Sequence, residues 1–165
     1  MVLGMSLSTF TLLHVALSLI GILSGFIVIF GMLAPNRMNG MTVLFLLTTV
    51  LTSVTGFCFP NDHITPGIII GIVSMVVLLI AIIARYVSHL RGASRWIYVV
   101  TVVLAQYLNV FVLVVQGFLK VPALHSLAPT GTETPFVIAQ GVVLLIFIVL
   151  ALYAVKKFHP AVDDA

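Results

Sequence analysis

Charge is what this chain has least of. Asp, Glu, Lys and Arg make up 7% of its 165 residues, against about a quarter in a soluble domain of this size. Its four acidic residues are Asp62, Glu133, Asp163 and Asp164, all outside the long apolar runs. A proton-coupled carrier usually keeps a titrating carboxylate or histidine within a span, and here only His14 could serve. Cysteine is nearly missing too. Cys58 stands alone, which excludes an intrachain disulfide and any multi-cysteine zinc or iron–sulfur centre within the chain. No basic residue precedes Arg37, so the first apolar run lacks the positive flank of a signal peptide and is expected to remain as a transmembrane helix. Phosphate-loop, dinucleotide and H-E-x-x-H patterns are absent, as is a recognisable nucleophile, histidine and carboxylate set. A non-enzymatic protein is therefore the expectation. The net charge of +3 comes from few residues, at helix ends, and does not point to nucleic acid.

What is present is hydrocarbon. Hydrophobic residues make up 62% of the sequence, more than a soluble core can hide, so the surplus has to meet lipid. Five segments are long enough to span a bilayer, at about 9–33, 41–59, 66–90, 95–120 and 135–157. Prolines at 35, 60, 66, 122, 129 and 135 and the Gly92-Ala93-Ser94 turn punctuate them. Thr134 reads as the cap of the last helix. The fold class expected is all-α: one polytopic membrane domain over residues 1–165, a compact bundle of five transmembrane helices. Arg37, Arg85, Arg91, Arg95, Lys156 and Lys157 fall on one side of the alternating spans, and only Lys120 falls on the other. That bias places the N-terminus outside and the C-terminus inside. The inner basic residues set topology and meet anionic headgroups, and Trp96, Tyr98 and Tyr86 suit an aromatic belt there.

Two helices carry small-residue faces. Gly21 and Gly25 form one G-x-x-x-G pair; Gly67 and Gly71, followed by Ser74, form another. Such faces let helix backbones approach closely, within one chain or between two copies. The second span holds Thr48, Thr49, Thr52, Ser53 and Thr55. Hydroxyls of this kind usually return a hydrogen bond to the carbonyl four residues back; the alternative is that one face hydrates a cavity.

The fourth span carries the main polar signal. At about 100° per residue, Gln106, Asn109, Gln116 and Lys120 fall within an arc of about 80°. Amides in a bilayer must face protein or water. His14 and Ser18 of the first span, Thr52 and Thr55 of the second and Gln140 of the fifth lie in the same outer half. Together these nine residues outline a polar pocket opening outward, able to bind or pass a small polar solute or ion by substituting for its hydration.

Two alternatives stand beside that reading. His14 with His63 or His125 could supply the two axial imidazoles of a b-type haem, or a metal site, near the outer face. The glycine faces could instead mark an assembly or scaffolding subunit, with a homo-oligomer or another membrane protein as partner. The stretches Ile97-Tyr98-Val99-Val100-Thr101, Tyr107-Leu108-Asn109-Val110-Phe111 and Phe118-Leu119-Lys120-Val121-Pro122-Ala123-Leu124-His125 resemble small uncharacterised bacterial inner-membrane proteins. That resemblance implies a multi-pass protein of the bacterial inner (plasma) membrane and assigns no activity or site residue.

Overall fold

Five helices long and apolar enough to cross a membrane account for most of the chain. They are seen in a computed structural model that describes residues 2–34, 36–60 and 64–159. Helix α1 spans Leu7–Leu33 and α2 spans Asn39–Phe57. Helix α3 spans Pro66–Ile82 and runs on through a π-helical turn, Ile83–Val87. Helix α4 spans Ala93–Lys120, α5 is the short turn Pro122–His125, and α6 spans Thr134–Lys157. Two starts are capped by side chains. Ser6 caps α1 by accepting from the Thr9 N–H, and Thr65 caps α3 by accepting from the Ile68 N–H. Proline in the first turn of α3, α5 and α6 gives up no helical hydrogen bond there.

Three local features depart from the sequence reading. The third span ends at Val87 rather than near 90, because His89 and Leu90 both take positive φ, at 49° and 59°, and turn the chain out of the helix. The residue in the capping position of α6 is Glu133, not Thr134. The connection from 121 to 133 is not wholly loop, since α5 lies within it.

Helix α1 packs on α2, α2 on α3 and α3 on α4, and α4 returns to α1. Four helices thus close a ring, and α6 lies outside it against α4 and α1. The ring holds together through small residues. A Cβ on Gly21 would come within 3.3 Å of both Thr48 Oγ1 and Thr49 Oγ1, so α1 and α2 meet backbone to side chain. A Cβ on Gly25 would overlap the Gln106 amide, so α4 meets α1 at that point. A Cβ on Gly71 would come within 2.6 Å of Phe57 Cε1, which seats α3 on α2. Gly21, Gly25 and Gly71 are therefore used within one chain.

The basic residues gather at one end of the bundle, as the alternating spans require. Two of them are built into it rather than facing headgroups. Arg85 is buried; its guanidinium donates to Tyr98 Oη at 2.9 Å, to the Arg37 carbonyl at 3.0 Å and to Asn39 Oδ1. Arg95 donates to the carbonyls of Val155 and Phe158 at 3.0 and 2.8 Å, and so closes the C-terminus of α6. Tyr98 also departs from the aromatic belt expected of it. It is fully buried, whereas Trp96 and Tyr86 are exposed. Two residues along a helix is a rotation of about 200°, so Trp96 and Tyr98 cannot share a face.

Candidate binding cavity

Away from the basic end the ring opens. A cavity of about 490 Å³ lies among α1, α2, α3 and α4, within the size range of small-molecule sites. Thr11, His14 and Ser18 line it from α1, Thr52 and Ser53 from α2, Gly71 and Ser74 from α3, and Asn109, Gln116 and Lys120 from α4. Between them stand apolar walls that include Leu19, Phe57, Ile68 and Val112.

The cavity is blind. Gln106 is fully buried where α4 crosses α1 and donates from Nε2 to the Ile22 carbonyl at 2.7 Å. Beyond it towards the basic end, Val28, Ile29, Phe45, Val99 and Val102 are all buried. The polar stripe of α4 therefore divides by depth. Gln106 is part of the packed layer and outside the lining, while Asn109, Gln116 and Lys120 face the cavity.

The hydroxyls divide as well. Ser18, Thr48, Ser53 and Thr55 each donate to the carbonyl four residues back, at 2.7–3.0 Å. Thr52, between them, does not, and its buried Oγ1 has no partner among the described residues. Asn109 donates from Nδ2 to Thr49 Oγ1 at 3.2 Å, tying α4 to α2. His14 Nδ1 lies 2.8 Å from Thr55 Oγ1. Thr55 Oγ1 also lies 2.7 Å from the Leu51 carbonyl, to which it can donate, and the direction of the His14–Thr55 bond follows the His14 tautomer. Thr55 thus acts behind His14 rather than on the cavity surface. The Phe59 ring meets the imidazole edge-on, with centroids 5.2 Å apart.

Other residues of interest fall elsewhere. Gln140 is buried on α6 and donates to the Phe111 carbonyl at 3.1 Å, which joins α6 to the opposite face of α4. His125 is on α5, off the cavity lining, with Nδ1 3.2 Å from the Phe118 carbonyl. His63 and Asp62 lie outside the described residues. No group of three or more His, Cys, Asp or Glu side chains among the described residues could hold a metal ion. Glu133 does not reach Lys120. Its carboxylate accepts from the Thr130 N–H, the Thr130 hydroxyl and the Thr132 N–H.

Sequence reasoning did not single out Phe57 or Gly71 as walls of a site, and placed Ser53 only in a hydroxyl run one face of which could hydrate a cavity. Phe57 carries no polar signal, and Gly71 matters only because it admits that ring. Comparison with protein-family models, curated proteins and solved structures finds no match to this chain.

Proposed function

We propose that this chain is a multi-pass protein of the bacterial inner membrane that binds a small polar solute or ion in the four-helix cavity, with the cavity end facing outward. The observation that carries the reading is a helix-enclosed space whose walls keep unspent hydrogen-bonding groups. Intramembrane polar groups are costly unless used, yet the Asn109 Oδ1 and the exposed Gln116 amide and Lys120 amine of the lining form no hydrogen bond within the described chain. These groups can replace the hydration of a ligand. The blind floor at Gln106 supports binding in this conformation rather than an open pore. The outward direction rests on the bias of basic residues.

The test is a double substitution, Asn109→Leu with Gln116→Leu, in purified protein screened against small solutes by thermal shift. A solute that stabilises the parent protein should no longer stabilise the double variant, while yield and elution volume stay unchanged. Stabilisation retained by the variant overturns the proposal.

A further inference from the structure

The cavity has an electrostatic sign. Lys120 is the only fixed charge among its described lining residues, and no carboxylate accompanies it. The Lys120 amine has no hydrogen-bond or ion-pair partner in the described chain, and Glu133, the one described carboxylate, is occupied by Thr130 and Thr132. A cation entering here would meet an ammonium with no described counter-charge, whereas an anion would meet a charge-assisted donor. One neutral donor stands along the same walls, the Gln116 amide. Leu19, Phe57, Ile68 and Val112 provide apolar surface. We propose that the ligand of this cavity is a small amphipathic carboxylate, its charged end at Lys120 and its body against the apolar walls towards Thr52 and Asn109. The inference rests on the binding reading above and adds the ligand's charge and chemical class.

Thiol chemistry within the cavity tests both separately. Val112→Cys, in a Cys58→Ser background, places a thiol on the wall without touching any of the donors. Its reaction rates with a sulfonate-bearing, a trimethylammonium-bearing and an uncharged methyl methanethiosulfonate are compared, each normalised to a free thiol. The sulfonate reagent should react about tenfold faster than the ammonium reagent. Lys120→Gln should bring that ratio to about one, and Lys120→Arg should keep it. Hexanoate should slow the modification where hexanamide and hexylammonium do not; protection by palmitate but not hexanoate would assign the carboxylate to a membrane-derived acid. Equal or inverted rates in the Lys120 protein, or protection by the amide or amine as strong as by the carboxylates, overturn the anionic assignment while leaving a solvated cavity. Failure of all three reagents to modify a well-folded Val112→Cys protein overturns the cavity reading itself.

Discussion

Gly25 and Gln106 meet at the point where the cavity ends. The glycine leaves room for an amide that would otherwise overlap a β-carbon, and Phe45 Cε2 would lie only 2.8 Å from that carbon. Gly25→Ala should therefore cost roughly 1–3 kcal/mol through overpacking, read as a lower Tm in detergent. Gln106→Ala should recover part of that loss, so the two substitutions should not add; additive losses would show that the glycine is not there to admit the glutamine. Both residues stand out in the sequence, Gly25 in a small-residue face and Gln106 in the amide stripe. Their meeting does not. Angular position on one helix cannot say whether a polar side chain ends against a neighbouring backbone or against open space. Gln106 and Asn109 share an arc, yet one bonds the Ile22 carbonyl and the other lines the cavity. The same limit applies to Thr52 and Thr55, three residues apart on one face.

At the scale of elements, the two ends of α6 are set differently. Arg95, near the start of α4, closes its C-terminus, which is why this arginine is not simply a headgroup contact. At its N-terminus Glu133 turns back into the preceding loop. Backbone and hydroxyl donors from Thr130, with the Thr132 N–H, lower its carboxyl from the ordinary 4.5 to about 2. A depressed folded pKa means that the carboxylate favours this loop conformation fully above about pH 4.5 and that the contribution fades as pH falls through about 2. Carbon-detected NMR of the Glu133 carboxyl should titrate near 2, with the Thr130 and Thr132 amide signals moving together. A midpoint near 4.5 would mean that these bonds do not persist in solution. The helix bounds themselves were mostly legible, because long apolar runs, prolines and caps are local signals. The π turn at 83–87 and the positive-φ pair His89 and Leu90 were not, because neither residue type announces that geometry.

Across the whole molecule, the ring of α1, α2, α3 and α4 is closed and packed at the basic end and hollow at the other. On the orientation proposed above from the basic-residue bias, the hollow end is the outer one. In a Cys58→Ser background, Ser126→Cys should react with a membrane-impermeant maleimide in intact cells, and Ser88→Cys only after lysis. The opposite pattern would invert the protein and place the cavity inside. The sequence alone determined five helices long and apolar enough to span, the gathering of basic residues at one set of ends and the stripe of polar side chains on the fourth span. Each follows from composition or period along a continuous stretch. Only the tertiary structure decided that Gly21, Gly25 and Gly71 are used within the chain, that Arg85 and Tyr98 are interior, and that the Nε2 groups of Gln106 and Gln140 bond neighbouring carbonyls. It also decided that Asn109, Gln116, Lys120, His14, Ser18 and Thr52 border one space. The physical reason is that a cavity is a failure of several helices to touch, and that depends on distances between segments far apart in the chain.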